Sequence, residues 1–223
     1  MPRRPAHSGM DQTPLAVAAV DAIGPDSVAI TFETPPEFGA APGQFVKLSF
    51  EVDGDDVSRF YTISSPDVEG TFEITVEIDP EGEVGPLLSE LAAGDEVRVA
   101  GPFGDAYYED EDSVVVLAGG PGVGPAVGIA ERAVADGGRA AVVYRDDAPV
   151  HTDRLGVLMD DGVSVEILAP DESLDDTVAA ALDSVGTDPQ VFVYGFADFL
   201  DDATAALSAA DYDADAAKVE NFG

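Results

Sequence analysis

"VVVLAGGPGVGPAVGIAERAVAD" occupies residues 114–136, and its reading decides the fold class. Val114–Leu117 are continuously apolar, as a strand covered on both faces must be; a strand with one wet face would alternate. Gly120, Gly122 and Gly124 then break the run. Pro125 opens the next stretch, where its missing N–H costs nothing at a helix first turn. "PAVGIAERAVAD" reads as a helix that stops before Gly137-Gly138. Buried strand, glycine turn and helix in that order form the first unit of a parallel α/β sheet.

Downstream the same alternation continues. "AAVVY" (140–144), "VSVEIL" (163–168) and "QVFVYG" (190–195) read as further buried strands. "HTDRLGVLMDD" (151–161), "SLDDTVAAALDSV" (173–185) and "DFLDDATAALSAA" (198–210) read as helices, and "AKVE" (217–220) as a last short strand. Upstream the pattern is different. From Leu15 to about Pro102 there are six short period-two runs, at 15–23, 27–34, 44–50, 59–65, 71–78 and 95–101, parted by Gly, Pro or Asp. One helix-like stretch, "GPLLSELAAG" (85–94), interrupts them. This half reads as a six-stranded antiparallel barrel. The expected division is a disordered N-terminal tail over 1–12, a barrel domain over 13–108 and a Rossmann-like parallel α/β nucleotide-binding domain over 109–223.

Composition narrows the function. The chain has 45 Asp and Glu against 10 Lys and Arg, for a net charge of −35, yet it is 45% hydrophobic. Lys47 and Lys218 are its two lysines. A disordered acidic chain would lack the Val, Ala and Leu runs found here. An even acidic surface over an ordinary core is the halophilic pattern. At ~1 M salt the Debye length falls to ~3 Å, and self-repulsion is screened. No basic stripe exists to meet phosphates of nucleic acid. No segment reaches the ~18–20 apolar residues that span a bilayer, so a soluble, cytoplasmic protein is expected. The absence of cysteine excludes disulfides, Cys-ligated clusters and thiol nucleophiles. His7 and His151 are the two histidines. A histidine-rich metal site is therefore not expected, and His151, at a helix start, reads as a surface or capping residue. Paired acids such as Asp146-Asp147 and Asp201-Asp202 read as solvated surface, not as a metal site.

Two motifs carry chemistry. The turn holding Gly120, Gly122, Val123, Gly124 and Pro125 lets backbone approach a ligand at a helix N-terminus, which suits a nucleotide phosphate. Tight packing is the alternative use of such glycines. "RFYTISSP" (59–66) sets an arginine beside an aromatic ring and three hydroxyls in an acid-rich chain. Arg59 suits a diphosphate, and Tyr61 offers a flat face to a ring system. An edge strand with one exposed Arg and a core Tyr is the plainer alternative.

R-x-Y-T-x-x-S (59–65), "GEVGPLL" (82–88), "GPFG" (101–104), "GGPGVGP" (119–125), "VYGFADF" (193–199) and "ENFG" (220–223) follow in the order of the ferredoxin–NADP⁺ reductase superfamily, which the chain resembles over nearly its whole length, in a halophilic archaeal version. The resemblance implies a flavin-binding barrel and an NAD(P)-binding domain. Arg59 would then hold the phosphates of FAD (FMN is less favoured). Phe60, Tyr61 and Thr62 would meet the isoalloxazine, with Thr62 near N5, and Ser64, Ser65, Glu77 and Ile78 would complete that wall. Gly82, Glu83, Val84 and Gly85 would form a second phosphate turn, although the family usually has Ser or Thr at Gly85. Gly120–Pro125, Arg145, Tyr194, Gly195 and Phe196 would meet the dinucleotide. Tyr194 replaces a frequent Cys. Phe222 would cover the flavin face opposite Tyr61, with Glu220 near the ring; Tyr61, Thr62, Glu220 and Phe222 are the residues given catalytic roles.

The implied activity is NAD(P)H-dependent hydride transfer from nicotinamide C4 to flavin N5, then electron transfer to a separate acceptor, a ferredoxin-like protein or a small molecule. A free-flavin reductase and a flavin-binding subunit of a larger complex stay open. NADH and NADPH are both admissible. Arg145 and Arg154 are the basic residues placed for a 2′-phosphate, while Asp146 or Asp147 favours a free ribose. No metal is expected.

Overall fold

A computed structural model describes residues 10–223. The expected tail over 1–12 lies outside the described residues as far as residue 9, with Arg3, Arg4 and His7. Met10–Gln12 instead open strand β1.

The first half is a six-stranded antiparallel sheet, with β1 (Met10–Ala22), β2 (Ser27–Glu33), β3 (Phe45–Val52), β4 (Asp55–Thr62), β5 (Thr71–Glu77) and β6 (Glu96–Phe103). The order is β4-β3-β6-β1-β2-β5, and a single Ile63–Ile74 bridge draws its two edges together. Alternation along each strand sends one side chain in two to the interior, where Ile30, Phe32, Val46, Leu48, Phe72 and Ile74 are fully buried. Phe72 meets Phe32 and Phe38 with centroids 5.3 and 5.4 Å apart, an arrangement that adds to area burial. The β3–β4 hairpin turns at Asp53-Gly54, both with positive φ. The short helix α1 (Gly85–Glu90) follows β5 and inserts Val84 and Leu88 into the barrel core.

The second half is a five-stranded parallel sheet in the order β11-β10-β7-β8-β9, from β7 (Ser113–Gly119), β8 (Arg139–Arg145), β9 (Ser164–Leu168), β10 (Gln190–Gly195) and β11 (Lys218–Asn221). Helices α2 (Val123–Ala135) and α3 (Thr152–Asp160) cover one face, and α4 (Asp175–Val185) and α5 (Ala197–Ala209) the other. The continuous apolar run that opened the sequence reading is explained by this sandwiching. Val114 and Val116 pack among residues of α2 and α3, while Val115 and Leu117 pack among residues of α4 and α5. Every residue of β7 is buried. Because the strands are parallel, their carboxyl ends share one edge, where ligands bind in open α/β sheets. No helix among the described residues is long and apolar enough to cross a membrane.

Candidate functional site

The two halves face each other across one cleft. Its barrel wall is Phe60, Tyr61 and Thr62 at the end of β4, with Thr75, Val76 and Glu77 at the end of β5. Its opposite wall is Pro121 and Pro125 from the glycine turn, Phe196 after β10, and Phe222 near the C-terminus. Residues up to 162 positions apart in the chain (60 to 222) thus line one space.

The aromatic groups are arranged in two sets. Phe60 is 62% exposed and meets Phe45 edge-on with centroids 5.5 Å apart. Phe196, 49% exposed, meets Phe222 edge-on at 6.1 Å. The Phe222 amide donates to the carbonyl of Gly195 at 3.0 Å, which ties the chain end to the cleft. Burial pushes the Tyr61 phenol up to about 12, with Arg59 working weakly against it. Thr62 is buried to 8% exposure yet lines the cleft. Glu77 is held above the ordinary carboxylate range, first by desolvation and then by Asp146, Asp147, Asp26 and Asp79.

Arg59 projects beside α1. Its guanidinium donates to the Ser58 carbonyl at 2.9 Å and to Glu83 Oε2 at 2.8 Å, so the two phosphate-turn motifs meet in space. Both partners are exposed, and such a pair is worth ~0–1 kcal/mol. The Gly85 departure has a steric cause: a Cβ there would lie 1.7 Å from the Asp79 carbonyl oxygen. No serine or threonine fits this turn without a shift of its backbone. Gly82 donates its N–H to Asp79 O, and Val84 is a core residue.

Several expected site residues do other work. Ser64 is fully buried; its hydroxyl bonds Thr75 Oγ1 at 2.7 Å, and Thr75 Oγ1 bonds His151 Nε2 at 2.7 Å. Ser65 Oγ accepts from the Glu73 amide, and Ile78 packs on the barrel core with its N–H on Asp26 O. None of these three lines the cleft. Gly124 and Gly128 are packing residues: a Cβ at Gly124 would sit 2.5 Å from Ser64 Oγ and Thr75 Oγ1, and one at Gly128 2.7 Å from Ser64 O. One face of α2 therefore lies directly on the barrel. Val123 is fully buried in the α/β core. Gly122 allows the turn to pass the Tyr194 carbonyl, 2.3 Å from its Cβ position. Gly120 has φ +55°, a left-handed conformation that favours glycine. Gly195 is buried beside Phe199.

Tyr194 is fully buried, and its hydroxyl donates to the Ala106 carbonyl across the domain boundary. That ring does not line the cleft. Glu220 pairs in register with Tyr194 and is held above the ordinary range by desolvation and Asp105, but it too stands outside the cleft lining. Arg145 donates to Asp202 at 2.7 Å and lies over the Phe199 ring at 5.2 Å.

His151 and Arg154 depart in part from their sequence reading. His151 is 8% exposed, with φ 55°, and burial first and Arg154 second lower its pKa to about 4. It does hold the N-cap position of α3, where its carbonyl accepts the Leu155 N–H at 3.0 Å, but it is a buried, neutral interface residue and not a surface one. Arg154 donates to Glu131 at 2.8 and 2.6 Å, to Glu73 at 2.9 Å and to Ser64 O at 2.8 Å. It pins α3, α2 and β5 together, with four of its five N–H donors engaged in that fastening. Thr75, Val76 and Pro121 were not singled out from sequence. Pro121 sits inside the glycine turn, but strand residues such as Thr75 carry no local signal.

Residues 14–108 match the oxidoreductase FAD-binding domain family. Over 97 residues the chain is 47% identical to the glycine betaine monooxygenase reductase subunit of Chromohalobacter salexigens, a stretch covering 42% of this chain and 26% of that protein. It is 36% identical over 91 residues to NADH-cytochrome b5 reductase 1 of Eremothecium gossypii, covering 39% of this chain and 32% of that one. The matched stretch thus spans about a quarter to a third of these curated relatives. The cytochrome P450 reductase GcoB of Amycolatopsis superposes with a TM-score of 0.81 over 97% of this chain and 71% of its own, at 24% identity. The match to the oxidoreductase FAD-binding domain family thus covers the barrel half, and the chain as a whole has the two-domain fold of the ferredoxin reductases.

Proposed function

We propose that this chain is an NAD(P)H-dependent flavoprotein reductase that passes electrons to a separate acceptor. The observation that carries the reading is the single cleft lined from both domains, with Tyr61 and Thr62 on one wall and Pro121, Pro125, Phe196 and Phe222 on the other. When bound, FAD supplies hydride acceptance from nicotinamide C4 at N5 and release of electrons one at a time.

The chain's own residues supply place and orientation. Tyr61 offers a ring face, and its phenol, with a pKa near 12, stays protonated and able to donate at neutral pH. Thr62 lines the same wall and would offer its hydroxyl to the ring. Phe222, held by its amide on Gly195 O, closes the other side and limits water. Arg59 and the backbone of Glu83–Gly85 would hold the diphosphate. A diphosphate would displace Glu83 from Arg59 at little cost, because that exposed pair is weak. Holding two reactants in such a cleft contributes the orientation part of catalysis. Any Cys-ligated iron–sulfur acceptor stands outside these 223 residues, because none of them is cysteine. The uniform acidity fits a cytoplasm of high salt.

The test is a visible spectrum of the purified protein, repeated anaerobically after NADH and after NADPH. The expected result is flavin absorbance that bleaches with a nicotinamide donor. A second reading, a flavin-binding electron-transfer subunit unreactive with nicotinamide, is favoured by Tyr194, whose burial leaves no side chain from that position in the cleft. Flavin absorbance that neither donor bleaches selects that reading and overturns the first.

A further inference from the structure

The barrel turns a second surface outward beside the cleft. On β3, Val46 and Leu48 are fully buried, so the alternating Phe45 and Lys47 point away from the barrel core. Strand register sets Phe103 of β6 and Thr62 of β4 opposite Phe45, and Ala100 and Phe60 opposite Lys47. The Phe45 ring centroid lies 5.5 Å from that of Phe60 and 5.8 Å from that of Phe103. A Cβ at Gly104 would come within 2.8 Å of Phe45, so backbone closes on this ring from one side. Phe60 and Phe103 are both exposed. Phe60 and Thr62 also line the cleft, so the three-ring patch begins at the cleft mouth.

Single exposed apolar residues are ordinary, but three touching rings at the edge of a site are not. Aromatic rings are what the cores of protein–protein interfaces are enriched in. The charge on this face also differs from that of the molecule. Lys218 is taken up by Glu109 and Glu111, whereas Lys47, the other lysine, forms no ion pair with any described residue. Arg98, two residues before Ala100 on β6, pairs with Asp56. The nearest acids along these segments, Asp56 and Asp105, stand at the ends of the patch, not among its rings. The face is therefore apolar with an uncompensated cation at its centre, on a body of net charge −35. It complements a partner whose apolar contact surface carries carboxylates. A second copy of this chain lacks that complementarity, because a two-fold contact sets the same patch, Lys47 included, against itself.

We propose that Phe45, Phe60, Phe103 and Lys47 form the docking surface for an acidic electron-acceptor protein, held by apolar contact, with Lys47 meeting one of its carboxylates. The assignment rests on the reductase reading above and adds the partner's contact chemistry. It carries a salt dependence. At ~1 M salt the Debye length is ~3 Å, so repulsion between two acidic bodies is screened while the apolar contact persists. Docking then tightens as salt rises, whereas docking through charge pairs alone weakens.

The probe is an acidic [2Fe–2S] ferredoxin in its oxidised form, titrated calorimetrically into the flavin-loaded protein at low KCl and at ~1 M KCl. The wild type is expected to bind more tightly at the higher salt. There Phe103→Ser weakens binding roughly tenfold, and Lys47→Glu roughly fivefold. Neither residue lines the cleft, so dithionite-reduced protein passes electrons to ferricyanide at the wild-type rate in both variants. Lys47→Glu, a change on the outer face, keeps the test independent of how well the Phe103 variant folds. Equal affinity in wild type and both variants, binding that weakens with salt, or no ferredoxin binding at either salt overturns the docking surface and leaves the reductase reading standing. So does a wild-type dimer that Phe103→Ser converts to monomer in sedimentation. The titration uses no nicotinamide. A flavin that neither NADH nor NADPH bleaches therefore overturns the reductase reading alone, and weaker ferredoxin binding by the variants still upholds the surface.

Discussion

At the residue scale, the proposed phosphate site rests on two unlike parts, Arg59 and the turn that ends at Gly85. In the proposed site Arg59 would provide the charge and the turn of Glu83–Gly85 the backbone donors; Glu83 now holds the guanidinium. Arg59→Ala is expected to weaken FAD binding by about 1.5–3 kcal/mol, the loss of a charge-assisted hydrogen bond. Glu83→Gln removes a competitor and a like charge, and should tighten it severalfold. Flavin fluorescence titration reads both, and wild-type affinity in Arg59→Ala would sink the phosphate role. Gly85→Ser restores the family's usual hydroxyl but drives a Cβ into the Asp79 carbonyl. It is expected to cost ~2–3 kcal/mol, a drop of roughly 5–10 °C in Tm for a chain of this size. Differential scanning calorimetry checks it. The Gly85 departure was visible in the sequence; its cause was not, because Asp79 comes close only once the turn has closed.

At the scale of elements, helix α2 is the contact between domains. Its glycine face takes the barrel hydroxyls of Ser64 and Thr75, and Arg154 fastens the arrangement from α3. Because these groups are mostly buried, removing one partner leaves the others unpaired. Arg154→Ala is expected to cost ~2–4 kcal/mol, somewhat below the full range for a buried pair because Arg154 keeps a quarter of its surface. It should also loosen the cleft, so faster proteolysis near residues 109–113 is expected together with the lower Tm. Element order, strand periodicity and the glycine turn were all legible locally. The latch was not: Ser64, Thr75 and His151 are each ordinary in their own segments, and their hydrogen bonds span 11 and 76 residues of sequence.

At the scale of the whole molecule, two electrostatic effects set stability. The first is net charge. With −35 spread over 223 residues, self-repulsion is strong in dilute buffer, and Tm should rise steeply as KCl approaches ~1 M and the Debye length shrinks to ~3 Å. A flat dependence of Tm on salt would refute the halophilic reading. The second is His151. Its folded-state pKa, near 4, lies below the ordinary 6.5. The unfolded chain therefore binds the proton first as pH falls, and stability is lost between about pH 6.5 and 4, by on the order of 3 kcal/mol. Glu73, Glu77 and Glu220 act in the opposite sense. Burial raises each of them, so the folded chain takes up their protons first and gains stability as pH falls through their folded values. His151→Asn tolerates the positive φ and retains a polar partner for Thr75. Comparing Tm against pH for both proteins at fixed high salt isolates the histidine, and identical slopes would exclude its part.

The sequence by itself determined the two-domain architecture, the acidic surface, the absence of thiol chemistry and the segments that approach the cleft. Each of these follows from local periodicity, composition or turn chemistry. Only the tertiary structure decided which of the motif residues meet a ligand. Alternation along a strand tells that Ser64 and Thr62 share a parity, but whether that face is covered by helix α2 or left open to the cleft depends on how two separately folded sheets dock. The same docking turns Arg154 from a candidate phosphate ligand into a fastening between domains. It is set by steric fit at Gly124, Gly128 and Gly43, contacts that no single segment contains.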